Sequence, residues 1–254
     1  ALLACGLMPV CAQQVSVAHQ REVCAEQLLS EAERLCEMGS YPLAGELVER
    51  LRQSELTDLQ EREAEALAAL IAYHEDAATA SVAIERYLKA YPDAPEQNRM
   101  RALALMSYYA QGDYAKVTSG MQEGDPDLLG DEERDGLILV YALAMMEEGR
   151  EEEAALQLDI LSLISDRYDD EVEYYAAYIN YVGKRYEEAV KGFKGAQTKE
   201  RYLHQASYYL AEIMLETKEY AEAEQMAADY IERYADGCYR VDMIRIQGEA
   251  LYGQ

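Results

Sequence analysis

A short phrase recurs along the chain at a nearly constant interval, and this repeat limits the possible folds more than any other feature of the sequence. The copies are MGSYPLA at 38–44, QGDYAKV at 111–117, EGREEEA at 148–154, GKRYEEA at 183–189 and TKEYAEA at 217–223, with a weaker copy, EDAATA, at 75–80. We call the tyrosine position of each phrase its anchor; the six anchors are Tyr41, Ala77, Tyr114, Glu151, Tyr186 and Tyr220. Neighbouring anchors are 34 to 37 residues apart. Such a period indicates one small structural unit stacked repeatedly on its neighbour.

Side chains at fixed distances from the anchor have a similar size in every copy. The residues three after the anchor are Ala44, Ala80, Val117, Ala154, Ala189 and Ala223. The residues nine before it are Ala32, Ala68, Leu105, Ala142, Ala177 and Ala211. The residues seven after it are Val48, Ile84, Met121, Leu158, Phe193 and Ala227. Small residues allow two helix backbones to approach closely, and larger apolar residues fill the space between them. Each copy is therefore predicted to be a pair of antiparallel helices.

The ends of the predicted helices carry their own signals. Four glycines before the anchors are expected in the left-handed conformation that ends a helix, namely Gly39, Gly112, Gly149 and Gly183. Pro92 and Pro95 separate one pair from the next, and residues 57–60 match a capping box. We predict an all-α solenoid of αα-hairpins, with about six repeats and a truncated seventh first helix. It would form a single domain over residues 13–254 and continue beyond 254.

The G-x-Y-x-x-A phrase, its period near 34 and the alanines at both crossing points resemble the tetratricopeptide repeat family over roughly residues 16–254. The chain departs from the family pattern because it has no Trp and because proline closes only one repeat. The segment ERYLKAYP at 85–92, followed by a long helix, looks most like exported bacterial members of the family. The resemblance implies a superhelix whose first helices line a concave groove, and a role as a protein-binding scaffold in the cell envelope.

The first twelve residues, ALLACGLMPVCA, are apolar and uncharged. Small side chains at Val10 and Ala12 fit cleavage after Ala12, so residues 1–12 are predicted to be part of a secretory signal peptide. An alternative is a lipoprotein motif at 2–5 with a lipid anchor on Cys5. Either reading predicts export to the periplasm or the periplasmic face of the outer membrane. No other stretch reaches the 18 or so apolar residues that span a bilayer, so a further span would have to follow residue 254.

The charge of the chain argues against nucleic acid as a partner. Its formal net charge is −26, and no basic stripe offsets the acidic excess, so phosphate backbones are repelled. The same excess could attract a basic partner or serve only as a solvated surface. The cysteines that follow the signal, Cys24, Cys36 and Cys238, are too few and too scattered for a disulfide scaffold, and we expect them to be small buried side chains.

Residue patterns of catalysis and metal binding are missing from the sequence. His19, His74 and His204 fall on different predicted repeats, and no paired His or Cys motif surrounds them. Phosphate-binding glycine motifs are also missing. We therefore expect no enzymatic activity, no metal and no cofactor.

Tyrosine is the dominant aromatic residue, since the chain has 22 Tyr, one Phe and no Trp. Many of these side chains are expected in the core. The tyrosines that the family geometry would place in the groove are Tyr73, Tyr109, Tyr174, Tyr178, Tyr181 and Tyr208. Tyr174, Tyr178 and Tyr181 are spaced by four and three residues and therefore share one helical face. A tyrosine offers a broad apolar ring and a hydroxyl, which suits contact with a peptide.

Arg62 and Arg99 are the basic residues predicted in the same groove. The acidic residues predicted to oppose them are Glu33, Glu65, Glu171, Glu212 and Glu216. A protein or peptide partner that is extended or helical, neutral to basic, and carries aromatic or aliphatic side chains would fit this surface. Two alternatives remain open from the sequence: the repeats could be the N-terminal sensory part of a longer signalling protein, or they could recruit the substrate of an enzyme domain that follows.

Overall fold

The structure, a computed structural model, describes residues 10–123 and 125–254. The described part contains α-helices and two single-turn 3-10 helices, at Met121–Glu123 and Pro126–Leu128, and no β-strand. The expectation of an all-α chain is confirmed. The predicted signal peptide, including Cys5, lies outside the described residues except for the backbone of residues 10–12, which belongs to the first helix. None of the helices in the described ranges is long and apolar enough to cross a membrane.

The thirteen α-helices of the described residues follow one another with short connections. Their bounds are α1 Val10–Glu37, α2 Tyr41–Arg52, α3 Asp58–Glu75, α4 Ser81–Ala90, α5 Gln97–Gln111, α6 Tyr114–Gly120, α7 Asp131–Glu147, α8 Glu151–Ile164, α9 Asp169–Val182, α10 Tyr186–Ala196, α11 Leu203–Glu216, α12 Tyr220–Arg233 and α13 Arg240–Gly253.

The chain divides into two compact units, one ending at Val140 and one at Tyr141–Gln254. In the first unit each helix from α1 to α6 packs on the next, and α3 also packs on both α1 and α5. In the second unit each helix from α8 to α13 packs on the next, and α11 also packs on both α9 and α13. Contact with the next helix and with the next but one is the packing expected of stacked helix pairs, so each unit is compatible with a helical repeat.

The anchor marks the start of the second helix of a pair. Helices α2, α6, α8, α10 and α12 begin at the anchors themselves. The weaker copy differs, because α3 ends at Glu75 and α4 begins only at Ser81, so that Ala77 lies in the turn between them. The residues three after the anchor are at most 2 % exposed in all six copies. These small side chains therefore lie where two helices meet, as predicted.

The other two repeated positions behave similarly. Nine residues before the anchor the side chains are buried, except that Ala68 is partly buried. Seven residues after it they are also buried, except that Met121 is partly buried. The repeated positions therefore form the shared interior of the helix pairs within each unit, which agrees with the close approach that small residues allow.

In the five turns that precede Tyr41, Tyr114, Glu151, Tyr186 and Tyr220, a left-handed residue lies two residues before the anchor. Gly39, Gly112 and Gly149 have φ of 71°, 77° and 72°, as predicted. The prediction for Gly183 was wrong: its φ is −74°, and the next residue, Lys184, takes the positive φ of 57°. In the following turn Lys218 has φ of 65°.

Lys184 and Lys218 are left-handed because the length of the turn before the anchor is fixed. In these five turns the N–H before the anchor donates to the carbonyl five residues earlier, at 2.8 to 2.9 Å, and this bond is the signature of the Schellman motif. The motif requires the left-handed residue at one position whether or not that residue is glycine.

Two other local predictions concern the first unit. The Thr57 hydroxyl accepts from the Gln60 N–H at 3.3 Å, and the Gln60 side chain accepts from the Thr57 N–H at 3.1 Å. The capping box at the start of α3 is therefore confirmed. Pro92 and Pro95 lie between the end of α4 and the start of α5, where proline interrupts no intrahelical hydrogen bond.

The expectation of three buried cysteines holds only for Cys36. Cys24 and Cys238 are exposed, because Cys24 faces away from the core on α1 and Cys238 lies in the turn before α13.

Candidate partner-binding surface

Six tyrosines of the second unit lie on the two helices that open successive pairs, α9 and α11. Helix α9 begins with Asp169, Asp170 and Glu171, whose negative charges are favourable near the positive end of the helix dipole. The tyrosines of α9 are Tyr174, Tyr175, Tyr178 and Tyr181, and those of α11 are Tyr208 and Tyr209. Since α9 packs on α11, the two helices bring their aromatic rings together.

Tyr174 belongs to the core of the second unit. Its ring stacks on Tyr202 with a centroid distance of 4.4 Å and lies 5.9 Å from the ring of Phe193. Only 9 % of the residue is exposed, and burial raises the pKa of its hydroxyl far above the usual range. A side chain with so little accessible surface has almost nothing to offer a partner, so Tyr174 acts in packing and we leave it out of the contact surface.

Tyr209 holds the other three predicted tyrosines of this unit together. Its ring centroid is 5.4 Å from that of Tyr178, 5.0 Å from that of Tyr181 and 5.0 Å from that of Tyr208. The ring of Tyr209 also stacks on that of Phe193 at 5.1 Å. We call Tyr178, Tyr181 and Tyr208 the tyrosine face; all three are partly exposed. Aromatic pairs at these distances favour a fixed arrangement of the rings.

Tyr209 was missed by the sequence reasoning. It lies 34 residues after Tyr175, which is the period between these two helix pairs, so the register could have placed it beside the α9 tyrosines. Tyr239, whose ring stacks on Tyr208 at 4.9 Å, was also missed. It directly precedes α13, as Tyr202, 37 residues earlier, directly precedes α11 and stacks on Tyr174, so the repeat register could have indicated it.

Two of the acidic residues predicted at this surface, Glu171 and Glu212, are buried and paired. Glu212 is 8 % exposed; it accepts the hydroxyl of Tyr208 at 2.9 Å and pairs with Arg245. Burial and the bond to Glu212 raise the pKa of Tyr208 far above its usual range. Glu171 is equally buried and pairs with Arg201.

A carboxylate this buried is stable only when it is paired and hydrogen-bonded. The two arginines follow their carboxylates by 33 and 30 residues, and that spacing of about one repeat could have revealed them. In contrast, Glu216 at the end of α11 is exposed. The tyrosine face is therefore held in place by a neutralised ion pair on one side and has negative charge at its edge.

The predicted tyrosines of the first unit are Tyr73 on α3 and Tyr109 on α5. Tyr73 is partly buried on α3, and its hydroxyl donates to the sulfur of Met106 at 3.2 Å. Tyr109 is partly buried near the end of α5, with its ring 5.6 Å from that of Tyr114. In the second unit, ring contacts with Tyr209 gather three of the predicted tyrosines, Tyr178, Tyr181 and Tyr208.

The two predicted basic residues both have acidic neighbours. Arg99 is exposed on α5 and pairs with Glu133 at 2.6 Å. The guanidinium of Arg62 lies 3.7 Å from the carboxylate of Glu96 and 4.0 Å from that of Glu63. An acidic partner would have to compete with these carboxylates. The opposing residue Glu65 is likewise paired, with Arg52 at 2.8 Å.

A cavity of about 380 Å³ in the first unit contains Arg99 together with several carboxylates. Its walls include Glu33, Glu63 and Glu96, and apolar side chains such as Leu67 line it as well. Partial burial, followed by repulsion from Glu63 and Glu37, raises the pKa of Glu33. A positively charged group at this place would relieve the repulsion of Glu33 by Glu63 and Glu37, the smaller causes of the shift.

Among the residues whose side chains are described, no group of three or more His, Cys, Asp or Glu is arranged to hold a metal ion. Comparison with known proteins adds no further assignment: no protein-family model matches the chain, and no curated protein matches it.

Proposed function

We propose that the protein is a non-enzymatic scaffold of the tetratricopeptide repeat type that binds another protein through the tyrosine face. The observation that carries the proposal is the arrangement of Tyr178, Tyr181 and Tyr208 around Tyr209. Three partly exposed rings held by core packing present an apolar surface with hydroxyl groups at a small entropic cost on binding. This combination suits recognition of a peptide segment.

The repeat register supports the choice of family. The small residues after the anchor are buried in every copy, five turns close in the same way, and the first helices of successive pairs pack on one another within each unit. Stacked helix pairs with one small crossing position are what the tetratricopeptide phrase encodes. Export to the periplasm is part of the same proposal and rests on the sequence of residues 1–12.

The charges of both units favour a neutral to basic partner. Arg62, Arg99, Arg201 and Arg245 already face carboxylates, so an acidic segment would find its possible partners engaged. The chain as a whole carries a formal charge of −26, which attracts basic segments over distances of about a Debye length. We therefore propose an extended or helical segment with aromatic or aliphatic side chains and no net negative charge.

Selection of a random peptide-display library on the immobilised protein tests the proposal. We expect enrichment of neutral to basic peptides that contain aromatic or aliphatic residues. The double variant Tyr181→Ala/Tyr208→Ala should bind the selected peptides at least about tenfold more weakly, because two apolar contacts are lost.

Tyr220→Ala is the matched control, since it removes the same side chain from another partly buried position, the first residue of α12. Circular dichroism melting of each variant separates loss of contact from loss of fold. A selection that enriches no peptide, or one in which every selected peptide binds the double variant as tightly as the wild type, would contradict the proposal.

A further inference from the structure

Helix α8 is apolar on two opposite sides. Ala154, Leu158 and Leu161 form its buried side. On the other side, Leu156, Ile160, Leu163 and Ile164 are 61 %, 45 %, 84 % and 45 % exposed. Their spacing of four, three and one residues places them in one stripe along the helix. A helix that is apolar all round is normally covered on all sides, and the described residues leave the outer stripe uncovered.

The repeat itself does not require this stripe. Leu156, Ile160 and Leu163 lie five, nine and twelve residues after their anchor, Glu151. The same positions of α12 hold Gln225, Asp229 and Glu232, and those of α2 hold Glu46, Arg50 and Gln53. Since polar residues occupy these places in helices of the same register, the aliphatic side chains of α8 serve something other than the packing of the pair.

The shape and charge of the stripe define what would cover it. Its four side chains extend over about 12 Å of helix axis, and a helix with apolar residues at spacings of three and four matches them. Glu152 and Asp159 flank one side of the stripe, and Glu153 at its N-terminal end is paired with Arg150. A second copy of the chain would bring another formal charge of −26 to this place, whereas a basic helix would be attracted.

We propose that the outer side of α8 is a second docking surface, which binds a basic amphipathic helix of a partner protein. Apolar side chains of that helix cover Leu156, Ile160, Leu163 and Ile164, and lysine or arginine side chains beside them meet Glu152 and Asp159. This surface is separate in sequence and element from the tyrosine face on α9 and α11, and the two proposals can fail independently.

The probe is a synthetic helical peptide of about 18 residues, roughly five turns, with leucine at spacings of three and four and lysine on both flanks. A second peptide carries glutamate in place of every lysine. Fluorescence anisotropy should show that the lysine peptide binds the full chain and that the glutamate peptide does not. Ile160→Gln/Leu163→Gln should weaken binding of the lysine peptide at least about tenfold. Because both side chains are exposed, the melting temperature should stay the same.

Two control variants make the test specific. Val82→Gln/Val241→Gln removes two exposed aliphatic side chains of other helices and should leave binding unchanged. Glu152→Lys/Asp159→Lys should weaken binding of the lysine peptide and permit binding of the glutamate peptide. Glu46→Lys/Asp93→Lys makes the same change of charge at two exposed acids of the first unit. It should neither weaken binding of the lysine peptide nor permit binding of the glutamate peptide.

Three results would overturn the proposal. The first is that the wild type does not bind the lysine peptide, and the second is that the Ile160→Gln/Leu163→Gln variant binds it as tightly as the wild type. The third is a wild-type dimer, detected by sedimentation equilibrium, that Ile160→Gln/Leu163→Gln abolishes. The occupant of the stripe would then be a second copy of the chain.

Discussion

Lys184 and Lys218 hold a left-handed backbone conformation that glycine holds in three other turns. An L-residue in this conformation costs roughly 1–2 kcal/mol, while glycine loses about 0.5–1 kcal/mol more backbone entropy on folding. Lys184→Gly and Lys218→Gly should therefore each raise the free energy of unfolding by about 0.5 kcal/mol, measured by urea denaturation.

Gly149→Ala is the control of opposite sign for these turns. Gly149 has φ of 72°, and an added Cβ would meet no atom within 4 Å, so the substitution strains only the backbone. We expect it to lower the free energy of unfolding by about 1 kcal/mol. Stabilisation by Gly149→Ala, or destabilisation by either lysine substitution, would mean that the turns do not have the Schellman geometry.

The effect of Glu33 on the stability of the protein should depend on pH. Its pKa is raised by partial burial and by Glu63 and Glu37, so ionised Glu33 opposes folding above its raised pKa. This effect disappears below the pKa of the unfolded state, about 4.3. Glu33→Gln should therefore raise the melting temperature at pH 7, and the gain should vanish as the pH falls below about 4.

Glu46→Gln on α2 is the comparison, since Glu46 is an exposed carboxylate outside the cavity. A gain in melting temperature that is equal for Glu46→Gln, or that persists below pH 4 for Glu33→Gln, would show that the burial and repulsion of ionised Glu33 are not its cause.

At the scale of the helix pair, the small residue after the anchor sets how closely two helices approach. Ala223 on α12 is fully buried in the core shared with α11 and α13. Ala223→Leu should lower the free energy of unfolding by about 1–3 kcal/mol or more, since added atoms in a packed core force helices apart. Ala221→Leu on the same helix, where the side chain is exposed, should change it by less than about 0.5 kcal/mol. Equal effects of the two substitutions would contradict the predicted crossing point.

The sequence was sufficient to predict the helices and the turns wherever the signal was a repeated spacing. Tyr41 and Tyr186 begin helices, and Ala189 is buried, because every copy needs the same crossing geometry. Where residue type was used instead of register, the prediction failed: Gly183 was expected in the left-handed conformation, but the turn places Lys184 there. The weak copy at Ala77 has no left-handed residue before its anchor, so its second helix begins later.

The site was less predictable than the helices, because it depends on contacts between different repeats. The spacing of Tyr178 and Tyr181 indicated a shared face, but burial of Tyr174 depends on Tyr202 and Phe193, which belong to other elements. The arginines that neutralise Glu171 and Glu212 likewise lie one repeat away. A single helix face shows neither the side chains that cover it nor those that balance its charge.

For the molecule as a whole, the formal charge of −26 predicts how partner affinity depends on salt. Raising the salt concentration from about 0.1 M to about 1 M shortens the Debye length from about 10 Å to about 3 Å. A selected peptide with several lysines should lose affinity several-fold by titration calorimetry, and a neutral selected peptide should change little. An equal loss for both peptides would indicate that charge attraction does not guide the partner.

Photo-crosslinking can show whether a partner peptide contacts the tyrosine face. A selected peptide carrying a benzophenone group is irradiated on the wild-type chain, and the linked residues are identified by mass spectrometry. We expect links to α9 and α11 around Tyr178, Tyr181 and Tyr208. These links should be lost when excess unlabelled peptide is added. Competed links found only on other helices would contradict contact at the tyrosine face.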